Sequence, residues 1–212
     1  MNSKEIYVAL IDSGCTFDTH DKVSIQAFNG EYIIEEQKKV YFKHGDAIGK
    51  ILMENKHVKL LDIQIFQKTL SATAHHILAS LNYLLTKKVD VINMSLGLET
   101  NYQEIEELCK LHIKNGTTII SSFPRNGKTH VFPASYENVI SVTSDGKCQK
   151  NQISLVKENL FGASPLSETK GVAGSSVSVA RFTKKYCDYL IKGYKKEEIL
   201  NLFIEGENDE TN

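Results

Sequence analysis

The chain has 212 residues, 41% of them hydrophobic and 24% charged, with a formal net charge of −1 and a pI of about 6.7. That length and balance describe one ordinary globular domain able to bury a rigid core, and the near-neutral charge gives no electrostatic footing for nucleic acid or an acidic membrane surface. No apolar run approaches a membrane span, no apolar signal segment opens the chain, and Cys15, Cys109, Cys148 and Cys187 are too scattered for a C-x-x-C pair, so free thiols in a reducing, cytoplasmic compartment are expected.

In chain order, Glu5 to Ile11 is a short apolar run closed by Asp-Ser-Gly, the pattern of a buried strand followed by a turn. Residues 31–43 are polar and aromatic and read as a loop or hairpin. From Gly45 to Lys56, Ala47, Ile48, Ile51 and Leu52 recur at helical spacing, and Val58 to Phe66 follows as a strand. Leu70 to Lys88 carries Leu70, Ala74, Ile77, Leu78, Leu81 and Leu85 on one stripe, which predicts an amphipathic helix. Val89 to Leu96 is the next strand, and a helix from Tyr102 to Lys114 stops at Asn115-Gly116, the residue pair expected of a C-cap. Thr117–Phe123 and Val139–Thr143 are further strands, and helices over Ser176–Lys192 and Lys196–Ile204 finish the fold.

Strands that are apolar on both faces and alternate with helices imply a mostly parallel sheet covered on both sides, a three-layer α/β sandwich. Sites in such sheets form beyond the carboxyl ends of the strands, where Asp12, Leu96 and Arg125 fall. The domain is expected over residues 1–205, with the acidic tail 206–212 frayed.

Three segments place an acid, a base and a hydroxyl at the edges of these elements: Val8-Ala9-Leu10-Ile11-Asp12-Ser13-Gly14, His44-Gly45-Asp46 and Gly174-Ser175-Ser176-Val177-Ser178. A neutral hydroxyl attacks a carbonyl only when a base takes its proton, and the base works only when an acid fixes its tautomer. Read singly, each residue has an ordinary structural role: Ser176 as a helix cap, Asp12 as the start of an Asp-Ser-Gly turn. The remaining histidines, His20, His57, His75, His76, His112 and His130, have no comparable setting, and the neighbours His75 and His76 face different directions on a helix, a poor metal pair. A metal-dependent hydrolase therefore lacks a ligand cluster, and neither metal nor cofactor is expected.

Two more segments, Val91-Ile92-Asn93-Met94-Ser95-Leu96-Gly97 and Phe132-Pro133-Ala134-Ser135-Tyr136-Glu137-Asn138-Val139-Ile140-Ser141-Val142, complete an ordered set that resembles the subtilisin-like serine peptidases, whose triad runs Asp, His, Ser along the chain. The resemblance implies Asp12 as orienting acid, His44 as base, Ser176 as nucleophile, and Ser95, Leu96 and Gly97 as the segment along which a peptide substrate lies. It also marks departures. The family's oxyanion Asn falls at Arg125 in an ungapped alignment, so Asn126, one place later, is the candidate donor. Phe123 and Pro124 replace small residues at the wall of the primary pocket, and Asp46 replaces a threonine, where its charge is expected to raise the His44 pKa. The reading that follows is a serine endopeptidase, with the maturation of one peptide precursor as its niche. The alternative is a catalytically impaired fold of the same kind that binds a peptide or a partner.

Overall fold

A computed structural model describes residues 4–28, 31–125 and 130–206. Its centre is a nine-stranded sheet: β1 (Ile6–Asp12), β2 (Asp21–Phe28), β3 (Glu31–Glu36), β4 (Val58–Gln64), β5 (Val91–Met94), β6 (Thr118–Ser122), β7 (Ile140–Ser144), β8 (Ile153–Lys157) and β9 (Leu160–Ala163), in the order β3-β2-β4-β1-β5-β6-β7-β9-β8. All neighbours are parallel except the two outer pairs, β2–β3 and β8–β9.

Five helices cover the two faces among the described residues: α1 (Lys43–Leu52), α2 (Ala74–Leu84), α3 (Gln103–Lys114), α4 (Ser175–Ile191) and α5 (Lys196–Glu205). The alternation within β1 explains the layering. Ile6, Val8 and Leu10 join α1, α4 and α5 in one apolar cluster with Ile48, Leu52, Phe182 and Phe203. Ala9 and Ile11 join α2 and α3 in the other, with Ile77, Leu81 and Ile105. A strand buried on both faces has no polar side to show, which is why β1 reads as a continuous apolar run. The three-layer α/β expectation holds.

Several local expectations are revised. The helix expected from Leu70 begins at Ala74, after Thr73, whose backbone N–H donates to His76 Nδ1 at 3.2 Å and so closes the first turn early. It leaves Leu70 exposed. Strands β2, β8 and β9 had no expectation. They are edge or near-edge strands in which exposed apolar residues such as Phe28, Leu155 and Val156 break the two-residue alternation. Residues 31–36 do form one arm of a hairpin. Residues 207–212 lie outside the described residues.

Candidate active site

β1 delivers its last residue, Asp12, to the carboxyl edge of the sheet, and the carboxylate is fully buried there. Its Oδ1 accepts the Ser13 N–H at 2.7 Å. Both carboxylate oxygens face the His44 ring, with Nδ1 at 2.8 Å from Oδ1 and 2.9 Å from Oδ2. A carboxylate only accepts, so Nδ1 carries the proton and Nε2 keeps its lone pair in the neutral ring. Burial of the ring opposes the imidazolium, but the hydrogen bond and the charge of Asp12 outweigh it and hold His44 above the ordinary histidine value.

His44 reaches this position because α1 starts against the turn that follows Asp12. Gly45 N–H donates to Ser13 Oγ at 2.9 Å, and a side chain on Gly45 would collide with the backbone of Gly14, which sits at φ +87°. Only glycine permits both the turn and the approach. Asp46, expected to act on His44, does not. Its carboxylate receives the Thr16 N–H at 2.7 Å and the Thr16 hydroxyl at 2.8 Å, pinning the chain beyond Cys15 onto α1. The rise at His44 comes from Asp12.

Ser176 lies in the first turn of α4. That helix begins one residue earlier than expected, at Ser175, with Gly174 at φ +104° and its N–H on Pro165 O at 2.9 Å. The first helical bond is Ser178 N–H to Gly174 O, so the amides of the turn that holds Ser176 precede the ladder and favour negative charge. The strap before α4 is held by Arg181, whose Nε and Nη2 both donate to Leu166 O, at 3.1 and 2.6 Å.

Ser176 is half-buried and meets the end of β5. Its Oγ donates to Ser95 O at 3.5 Å, and Ser95 Oγ donates to Ser176 O at 3.4 Å. Behind them Thr183 Oγ1 donates to Asn93 Oδ1 at 2.9 Å and Asn93 Nδ2 to Ser95 Oγ at 3.3 Å, a polar chain that ties β5 to α4. No hydrogen bond joins Ser176 to His44 among the described residues.

His44, Ser95, Leu96 and Gly97 line one cleft of about 370 Å³, with Phe66 and Leu70 forming apolar walls. Leu98 also lines the cleft and pairs with Phe132, N–H to O at 2.7 and 2.9 Å in the two directions. Arg125 is exposed just beyond β6, while Phe123 and Pro124 are half-buried beside it. Asn126 lies outside the described residues.

Sequence reasoning missed the polar residues beneath the two turns. Asp62 and Gln64, both fully buried, rise from β4 directly beside β1, in the register Leu10 to Asp62 and Asp12 to Gln64. Asp62 accepts the Cys15 N–H at 2.6 Å. The signal was present: a carboxylate and an amide two residues apart interrupt the apolar run Val58–Phe66, which a buried strand tolerates only for a reason.

Comparison with known proteins agrees with this architecture. The sequence description of the Subtilase family matches residues 3–159, a span that includes Asp12, His44 and Ser95–Gly97 and stops before Ser176. The chain is 25% identical over 240 residues to the major intracellular serine protease of Bacillus subtilis (strain 168), covering 98% of this chain and 74% of that protein. It is 23% identical over 205 residues to the intracellular serine protease of Paenibacillus polymyxa, covering 82% of this chain and 63% of that one. Among solved structures, the prenylagaramide maturation protease PagA superimposes with a TM-score of 0.68 over 93% of this chain and 80% of its own, at 14% identity, a likeness of fold. Among the described residues, no helix is long and apolar enough to cross a membrane. With the matched segment spanning most of the chain and the acid–base pair inside it, the chain belongs to the subtilase family of serine proteases.

Proposed function

We propose that the chain is a cytoplasmic serine endopeptidase in which Ser176, His44 and Asp12 act together on a peptide substrate, and that its niche is the maturation of one peptide precursor. The observation that carries the reading is the buried Asp12–His44 pair opening onto the cleft that Ser95 lines, with the Ser176 hydroxyl hydrogen-bonded to the carbonyl of that same Ser95. The pair fixes His44 with Nε2 free to accept a proton. As Ser176 Oγ bonds to the substrate carbonyl carbon, its proton passes to Nε2. The amides at the start of α4 hold the resulting oxyanion. His44 then gives the proton to the leaving amine as the C–N bond breaks, and water releases the acyl group by the same steps in reverse.

The Ser176 hydroxyl is held only by a weak 3.5 Å bond to Ser95 O, and catalytic hydrogen bonds commonly tighten only once substrate is bound. Ser95, Leu96 and Gly97 receive the substrate backbone as an added strand, which accommodates varied side chains. Asn126 is the side-chain oxyanion donor of this reading, with Arg125 beside it. The cytoplasmic setting is supported by four free cysteines, three of them buried, and by relatives named as intracellular proteases. The maturation niche is supported by the structural likeness to a protease named for that role.

The test is exposure to a fluorophosphonate, which needs no knowledge of the substrate. Stoichiometric labelling that disappears in Ser176→Ala supports the peptidase. A folded wild-type protein that does not react supports the second reading, a peptide- or partner-binding subtilase fold, which the missing Ser176–His44 hydrogen bond favours.

A further inference from the structure

The acid and the base arrive on separate loops: residues 13–16 follow β1, and residues 37–42 lead from β3 into α1. Two side chains on one face of β4 reach both. Gln64 Nε2 donates to Ser13 O at 3.1 Å and to Lys39 O at 3.4 Å, while its Oε1 accepts the Lys38 N–H at 2.9 Å. Asp62 Oδ2 accepts the Cys15 N–H at 2.6 Å and a hydrogen bond from Gln37 Nε2. Asp62 Oδ1 has no partner among the described residues, although the side chain is fully buried. A branched aliphatic residue at this position would suit the strand and avoid the cost of desolvating a charge. A carboxylate whose one bonded oxygen bridges exactly these two loops is informative for that reason.

We infer that Asp62 is a positioning residue, whose carboxylate fixes the base-carrying loop against the acid-carrying loop and so sets how His44 meets Asp12. The inference rests on the proteolytic reading of the site. Asp62 touches neither His44 nor the cleft. It acts through Cys15, three residues beyond Asp12, and through Gln37, seven before His44. The charged and titratable groups facing it are Asp12 on β1, Lys22 on β2, whose Nζ donates to Cys15 O at 3.3 Å, and the Cys15 thiol, itself next to Asp46 of α1. Burial first, and then the charge of Asp12, push the Asp62 carboxyl up to about 6, against the hydrogen bonds from Cys15 and Gln37 and the charge of Lys22. The brace is therefore at full strength only on the alkaline side of that value, because protonation removes the anion that two donors share.

The experiment measures the rate of fluorophosphonate labelling against pH for the wild type, Asp62→Asn, Asp62→Ala and Gln37→Ala, with the His44 Nδ1 proton followed by NMR in each. Asp62→Ala and Gln37→Ala are expected to slow labelling tenfold or more and to displace the His44 resonance. Asp62→Asn, the counterpart of the protonated carboxyl, is expected to hold the rate near the wild type's acid-side level across the range and so to remove a step near pH 6 from the profile. A brace that only stabilised the fold would leave the profile unchanged in molecules that are folded. Wild-type rates, profile and resonance in Gln37→Ala overturn the inference, and this variant decides the matter if Asp62→Ala does not fold. If the wild type itself is never labelled, the proteolytic reading fails separately, and the His44 resonance alone decides whether Asp62 positions the ring.

Discussion

Replacing Asp12 by Asn tests the acid–base pair with almost no change of volume. In the native arrangement Oδ1 serves two donors, Ser13 N–H at 2.7 Å and His44 Nδ1–H at 2.8 Å, while Oδ2 sits 2.9 Å from the same ring nitrogen. The Ser13 N–H holds the amide oxygen of an Asn at the Oδ1 position, which puts the NH2 group where Oδ2 was. Two N–H groups then confront each other unless the ring changes tautomer, and the new tautomer carries its proton on Nε2 and cannot act as base. A triad held in the wrong tautomer loses about 10⁴ in rate, roughly 5 kcal/mol of barrier. The variant also removes the charge that lifts His44, so burial alone acts and the imidazole falls below its ordinary value. Native His44, raised by its partner, adds stability that is fully present below the unfolded value and is lost as pH rises through the folded one; Asp12→Asn abolishes that acid-side contribution. Labelling rates with a fluorophosphonate and an NMR titration of His44 read both effects. Labelling at the wild-type rate, or an unshifted His44 titration, refutes the reasoning.

Three further outcomes follow from the packing. Phe182 is fully buried with ring centroids 5.2 Å from Phe161 and 5.1 Å from Phe203; Phe182→Ala should cost about 3–5 kcal/mol, seen as a lower urea midpoint with an unchanged m-value. Gly45→Ala drives a Cβ into Gly14 O and to 2.9 and 3.0 Å from Gly14 C and N, backbone atoms that cannot turn aside, so stability should fall by about 1–3 kcal/mol and labelling should slow as His44 is displaced; wild-type labelling in this variant contradicts the proposed packing of the two turns. Asp62, raised from 3.8 to about 6, is more easily protonated in the folded chain than in the unfolded one. Its ionisation therefore lowers stability between about pH 4 and 6, by at most about 3 kcal/mol. Denaturation of Asp62→Asn and wild type across that window should show the variant gaining relative stability and then levelling off; a difference independent of pH contradicts the carboxyl's environment.

The central strands were legible because they are short, mostly buried segments rich in aliphatic and β-branched residues and bounded by turn signals: β1, β4, β5 and β6. Residues Asp12 and His44 were legible for a related reason, each being a polar residue at the end of an apolar element. The outer hairpin β8–β9 was not, since Lys157 and the exposed Leu155 and Val156 carry no face preference and its register slips at a bulge. The role of Asp46 was misread because linear proximity to His44 says nothing about where a side chain spends its hydrogen bonds. Thr16 takes both of its oxygens, and Thr16 is near Asp46 only in space. The brace was half legible: Asp62 and Gln64 interrupt the apolar run of β4, but their partners on the loop before α1, Gln37 and Lys38, lie 25 and 26 positions away and meet them only in the folded chain.

The position of α4 in the chain fixes when the candidate site can assemble during synthesis. β1 is flanked by β4 and β5, so both strands beside Asp12 are made within about the first 94 residues, whereas α1, which carries His44, packs chiefly on α4. α4 then packs across β1, β5, β6, β7 and β9, and it cannot dock until the last of these has emerged from the ribosome. On the proteolytic reading proposed above, a partly made chain lacks both Ser176 and the helix on which the His44-bearing α1 rests, so the three groups come together only after translation has passed the final strand.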